Sequence, residues 1–208
     1  MRNPVTMAAA AAGLALVALP ALVGPALAQP TQLRPTRDVT VTYRMVGMAG
    51  TTAQEVRMAF SPSTGKQRVD PPGDMGWMLI DRRANTAVMV MDAQRVTMAM
   101  PPATVAAMTQ EVPAGATFRL KGNATVAGLA CTDWDMTAGP ASGTSCITDD
   151  GVLLRTIATA PNGTNVLMEA TQVTYGTVDP ARLAVPSGYT AMQMPAGAPG
   201  TPGAVPAR

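Results

Sequence analysis

Histidine is absent from the 208-residue chain. That absence excludes Ser-His-Asp and Cys-His nucleophile sets, H-E-x-x-H zinc sites and any imidazole proton shuttle. Aromatic residues make up 3% of the sequence, so an apolar core must be filled with aliphatic and thioether side chains. Charge is sparse and balanced. Arg2 is the one charged residue of the first 28, which leaves 14 Lys+Arg against 13 Asp+Glu, a net charge of +1. A nucleic-acid footprint needs a concentrated basic face. The basic doublet Arg82-Arg83 falls in an expected turn, so no nucleic-acid partner is expected.

Cysteine is limited to Cys131 and Cys146. Their spacing is not the C-x-x-C of a redox-active pair at a helix N-terminus, and a structural bridge between them is expected in an oxidising compartment. Export is read from the N-terminus. Arg2 precedes an apolar run over residues 7–19 that is too short to span a bilayer, and Ala26-Leu27-Ala28 fits a small-x-small cleavage site. Residues 1–28 are therefore expected to be a signal peptide, with Gln29 the first mature residue. No cysteine follows the run, so no lipid-attachment site is expected. A periplasmic or secreted location follows, with no transmembrane segment after cleavage.

What is present is period-two patterning with β-branched enrichment. Val39, Val41, Tyr43 and Met45 alternate with polar residues, as do Val56, Met58 and Phe60. Segments 76–81, 86–92 and 94–100 read as a meander with turns between them. Residues 88–91 (VMVM) are apolar on both parities and should form a central strand covered on both faces. After Pro101-Pro102, residues 103–110 are expected to be the one helix. Strands follow on either side of Gly128, then a loop over 138–144. Asp150-Gly151 should be a two-residue hairpin turn setting Ile147 opposite Leu154. Asn162-Gly163 should do the same with Ile157 opposite Met168.

The fold class expected is all-β with minor α, a curved antiparallel sheet around one helix. Residues 29–37 would be a flexible lead-in, 38–190 one domain, and 191–208 a disordered Ala/Pro/Gly-rich tail. Val41, Tyr43, Val56, Met58, Phe60, Leu79, Val88, Val90, Met98, Leu153, Ile157 and Val173 are the expected core.

Few residues carry chemistry. Asp149 and Asp150 are adjacent carboxylates, but general acid–base work needs a cleft that separates their pKa values, and a turn in water provides none. Asp133 and Asp135 flank Trp134 without the spacing of a calcium loop, which favours a solvated face. Ser63-Thr64-Gly65-Lys66 spells S-x-x-K but bridges two strands and lacks its companion motifs. No catalytic residue and no cofactor is expected.

Methionine is the abundant residue, 16 in all. Met89/Met91, Met98/Met100 and Met192/Met194 are M-x-M pairs, whose thioethers share a strand face. One reading is an adaptable apolar lining, with Met58, Met89, Met91, Met98, Met100 and Met108 as candidate ligand-binding residues. The alternative is Cu(I) capture, which soft thioethers favour.

The stretches VAGLACTDWDM (126–136), SCITDDGVLLR (145–155) and YGTVDPARLAVPSGYTAM (175–192) resemble the periplasmic lipoprotein carriers of the LolA/LolB type. Within that superfamily they are most similar to an uncharacterised secreted branch. The resemblance implies an incomplete antiparallel β-barrel closed by helices over an apolar concavity, where the carriers hold lipoprotein acyl chains. This chain departs in having one clear helix and a cysteine pair. It is expected to be an exported, non-enzymatic binding protein for an acyl chain, lipid or lipoprotein. A further alternative is a structural or partner-docking envelope protein.

Overall fold

The computed structural model describes residues 29–46, 53–73, 75–110, 112, 114–139, 141–159 and 165–192. The expected signal peptide, most of the tail and the Asn162-Gly163 turn lie outside them. Among the described residues, the strands are β1 (Val39–Val46), β2 (Gln54–Ser61), β3 (Lys66–Asp70), β4 (Trp77–Asp81), β5 (Thr86–Met91) and β6 (Val96–Ala99). After helix α1 (Pro102–Thr109) come β7 (Thr117–Val126), β8 (Leu129–Ala138), β9 (Ala141–Ile147), β10 (Leu153–Thr159), β11 (Asn165–Tyr175) and β12 (Thr190–Met192).

These strands form one open sheet in the order β12-β6-β5-β4-β3-β2-β1-β11-β10-β9-β8-β7. Two antiparallel meanders, β1 to β6 and β7 to β11, meet at a single seam where β1 pairs with β11. β12 adds in parallel to the free edge of β6. The sheet curls. Val39, Val41 and Tyr43 of β1 share a core cluster with Val126 of β7 and Cys131 of β8, four and five strands away. Leu154 and Cys146 in that cluster are fully enclosed, and burying a side chain such as Leu154 contributes about 1.5–3 kcal/mol.

The β1–β6 half is covered on both faces. On one, α1 lays Val105 against Ile80 and Ala87. Proline at the first turn removes an N–H that has no helical partner anyway, and Val105 N donates to Pro101 O at 3.0 Å. On the other face, Val178 and Leu183 pack against Ala59, Trp77, Leu79 and Val90. The 3-10 turn Pro180–Leu183 that carries Leu183 is opened by the Asp179 carboxylate accepting from Ala181 N at 2.9 Å. β5 is thus sandwiched as its apolar run predicts, but it is third from an edge and not central.

Several expectations are corrected. Asp150-Gly151 belongs to a three-residue turn, Asp149–Gly151, closed by Gly151 N to Thr148 O at 2.9 Å and Thr148 N to Val152 O at 3.0 Å. Gly151 takes φ 85°, the left-handed residue such a turn requires. Ile147 therefore faces Leu153, and a bulge between Leu153 and Arg155 turns Leu154 into the core. Downstream, Ile157 is 41% exposed and stands opposite Leu167, not Met168.

Of residues 138–144, expected as a loop, Ala138 closes β8 and residues 141–144 belong to β9. Ala138 pairs with Ala141 and Thr137 with Ser142, because a backbone ladder forms as readily through small polar residues as through apolar ones. Of the expected core, Val41, Tyr43, Val56, Phe60, Leu79 and Val90 are buried, whereas Met58, Val88, Met98, Leu153 and Val173 are half-buried.

Candidate functional site

On the α1-bearing face, the sheet does not close on itself. Val39, Val41 and Tyr43 of β1, Met58 and Phe60 of β2, Gln67 of β3 and Met168 of β11 line a cavity of about 280 Å³. Its cover is Leu33–Pro35 and Gly151–Leu153, with Arg82 at one end. Register explains why these side chains converge. Val41 stands beside Met58, and Val39 beside Phe60, which in turn stands beside Gln67.

The cover is pinned by polar contacts. Tyr43 Oη donates to Leu153 O at 2.7 Å, and burial pushes the Tyr43 phenol well above its usual range. Thr36 N donates to Asp150 O at 2.9 Å and Arg37 Nε to Asp150 Oδ2 at 2.7 Å. The segment expected as a free lead-in is thereby held against the 149–151 turn.

A polar string crosses the cavity wall. Arg82 Nη1 donates to Thr109 O at the end of α1, and Arg82 Nη2 to Gln67 Oε1, both at 3.1 Å. Gln67 Nε2 in turn reaches Met58 Sδ at 3.7 Å. Arg82 Nε is buried with no hydrogen-bond partner. Burial lowers the Arg82 pKa, and the nearby positive charge of Arg34 lowers it further.

Of the methionines singled out in the sequence, Met58 lines this cavity. Met89 and Met98 stand in a cross-strand row outside it, Met192–Met98–Met89–Met78, which passes Val69 to reach Met58. Met91 faces Val96. Met100 packs on Ile80, Ala87 and Val105, and Met108 is half-buried on α1. Phe60, Gln67 and Arg82 line the cavity and Met78 stands in the row, and none of the four was among the candidate ligand-binding residues read from the sequence. Gln67 is a polar residue at a position whose cross-strand neighbours are Phe60 and Ile80, which is the sequence signal for it. Arg82 carries none, because a turn residue reads as solvated.

The acidic residues are engaged in pairing. Arg155 Nη2 holds both Asp133 oxygens at 3.1 and 3.0 Å. Asp135 accepts from Thr144 at 2.7 Å and from Arg119 at 2.6 Å, with Lys121 at 3.4 Å. The Thr144 hydrogen bond, aided by the two cations, holds the Asp135 carboxyl below its ordinary range. Both are ion-paired, where the sequence suggested a merely solvated face. Among the described residues, no group of three or more His, Cys, Asp or Glu side chains is placed to hold a metal ion. Cys131 and Cys146 form a disulfide between β8 and β9, with Cα atoms 5.5 Å apart.

No protein-family model matches the chain, and no curated protein matches it. Among solved structures, an uncharacterized conserved protein from Thermus thermophilus shares the fold. Its TM-score is 0.56 at 13% identity, over 76% of this chain and 91% of that one. Looser neighbours include MucB, with a TM-score of 0.47 at 13% identity over 76% of this chain and 60% of that one. The LolA superfamily protein NE2245 from Nitrosomonas europaea has a TM-score of 0.38 at 10% identity, over 73% and 92% of the two chains. The architecture is the all-β one expected from the sequence, an open curved sheet that does not close into a barrel, with one covering helix among the described residues. No described helix is long and apolar enough to cross a membrane.

Proposed function

We propose that this chain is an exported, non-enzymatic binding protein that shelters an apolar ligand, an acyl chain or lipid, in the cavity between β1–β3 and its cover. One observation carries the reading. Beside Val39, Val41, Met58, Phe60 and Met168 the sheet leaves a partly open cavity of about 280 Å³, a concave, largely apolar space of the kind that holds small ligands. An unfilled space walled by a mobile thioether and rigid β-branched side chains suits an apolar guest. The lack of histidine and the pairing of Asp133, Asp135 and Asp150 support the non-enzymatic part.

Burial of each CH₂ contributes about 0.8 kcal/mol, so affinity should rise about fourfold per methylene until the cavity is full. Displacement of a fluorescent fatty acid by a chain-length series reads this directly, and mass spectrometry of lipids co-purifying from the native compartment identifies the guest. A flat series with an empty extract would leave a structural or partner-docking role instead.

A second reading, Cu(I) binding, is favoured by the methionine row. Met78, Met89, Met98 and Met192 stand directly opposite one another on four adjacent strands, and soft thioethers select Cu(I). Titration of Cu(I) against a competing chelator tests it. Unchanged affinity after replacing Met89 and Met98 by Leu would remove it.

A further inference from the structure

The cavity wall is largely apolar but carries Arg82. Arg82 and Arg34 both line it, and they lie close enough for their charges to repel. The other half-buried guanidinium groups of the sheet face are matched by carboxylates. Arg68 and Arg182 share Asp70, and Arg155 takes Asp133 and Glu169. Arg82 differs. Both of its Nη atoms donate to neutral acceptors, the Thr109 carbonyl and the Gln67 amide oxygen. Its Nε has no partner at all, and among the described residues no carboxylate lies within 4.0 Å of it. A half-buried cation normally finds an anion, because leaving its charge desolvated and unpaired is costly.

Three features select the ligand class. The missing complement of Arg82 is a negative charge, and a planar guanidinium matches a carboxylate in a two-pronged contact. The wall beyond it includes Met58, Phe60, Val39, Val41 and Met168, which suits hydrocarbon. The volume, about 280 Å³, is at the small end of ligand pockets, roughly 300–1,000 Å³, which suits one acyl chain and not two or three.

We infer that the cavity takes a single-chain carboxylate, a free fatty acid, with its headgroup at Arg82 and its tail along β1 and β2. Gln67 acts as a positioning residue. It holds Arg82 through its amide oxygen and touches Met58 through its amide nitrogen, so the headgroup end and the tail end of the site are built from one connected set of side chains.

This assignment rests on the apolar-cavity reading above, and the test separates the two. Dodecanoate, dodecanol, dodecylammonium and dodecyl phosphate are compared by calorimetry on delipidated full-length protein, each below its critical micelle concentration. Dodecanoate is expected to bind at least tenfold more tightly than dodecanol, with dodecylammonium weakest. Arg82→Gln should abolish the preference for dodecanoate while leaving dodecanol affinity within about twofold. Arg82→Lys should restore part of the preference. Equal binding of dodecanoate and dodecanol by the unmodified protein would overturn the headgroup assignment and leave the apolar cavity standing. Tighter binding of dodecyl phosphate than of dodecanoate would overturn the carboxylate choice. No binding of any of the four would overturn both readings. The comparison within the unmodified protein decides the matter even if Arg82→Gln does not fold.

Discussion

Arg37 Nε donates to Asp150 Oδ2 at 2.7 Å, tying the segment before β1 to the turn before β10 across 113 residues of chain. The Arg37 guanidinium also lies over the Tyr175 ring, 3.6 Å from its centroid. Tyr175 Oη donates to Asp150 Oδ1 at 3.2 Å, and Thr148 Oγ1 donates to the same oxygen. A carboxylate that reads as a solvated turn residue is thus the latch that holds the cavity's cover.

This latch should fail in acid. Burial pushes the Asp150 carboxyl up, but hydrogen bonds from Thr148, Arg37 and Tyr175, with the Arg37 charge, outweigh it and hold the group below its ordinary range. Near pH 4 the unfolded chain then binds more protons here than the folded one. The stabilisation is present above the ordinary aspartate value, about 3.9, and is lost as pH falls through the depressed one. Asp150→Asn should cost about 1.5–3 kcal/mol at neutral pH and flatten the acid limb of a Tm-against-pH curve. Identical acid limbs for both proteins would show that Asp150 is not the latch.

Gly151→Ala should be worse than an ordinary glycine replacement. Gly151 has φ 85°, and an added Cβ would run into the Arg34 carbonyl oxygen. Gly73 has φ 80° with nothing near it, so Gly73→Ala isolates the left-handed strain, about 1–2 kcal/mol. Gly151→Ala should cost more than that and should speed tryptic cleavage after Arg37. Equal melting temperatures would contradict the close packing.

Removing the disulfide should lower stability without changing the fold. It closes a loop with a sequence separation of 15, worth about 3 kcal/mol on the chain-entropy model. Cys131→Ser with Cys146→Ser should lower the unfolding free energy by about that amount and raise the denaturant slope, because the unbridged unfolded chain exposes more surface. Free thiols in the native protein before reduction would rule out the bridge.

The three tyrosines should all resist alkali. Burial raises Tyr43. Burial, then the Asp150 charge, raises Tyr175. The hydrogen bond to Asp92 raises Tyr189. Phenolate absorbance should therefore appear above the ordinary phenol value, about 10. The stabilisation these groups give is full below that value and lost as pH rises through their folded ones. A tyrosine titrating at its ordinary value in the folded protein would sink the burial argument for that residue.

The strands were legible because alternation survives in single segments. Val39, Val41 and Tyr43 declare one face of β1, and Pro101-Pro102 declares the start of α1. What was not legible depends on neighbours. The bulge at Leu154, the exposure of Ile157 and the pairing of residues 141–144 follow from how one strand meets the next, which no local pattern encodes. Arg82 is the sharper case. Its sequence context says turn and solvent, whereas Thr109 and Gln67, far apart in the chain, draw its guanidinium into the cavity wall.

The seam between β1 and β11 sets the order in which the molecule can assemble. Within each meander neighbouring strands are consecutive in sequence, so each half forms through short-range contacts. The seam alone joins Val39 to Tyr175. Non-local pairings come late, because a long loop must close before the contacts reward it. Val41 and Met168 belong to opposite sides of that seam and to the same cavity. The cavity proposed to hold a guest is therefore incomplete in either half, and its walls come together only after nearly all of the strands have emerged.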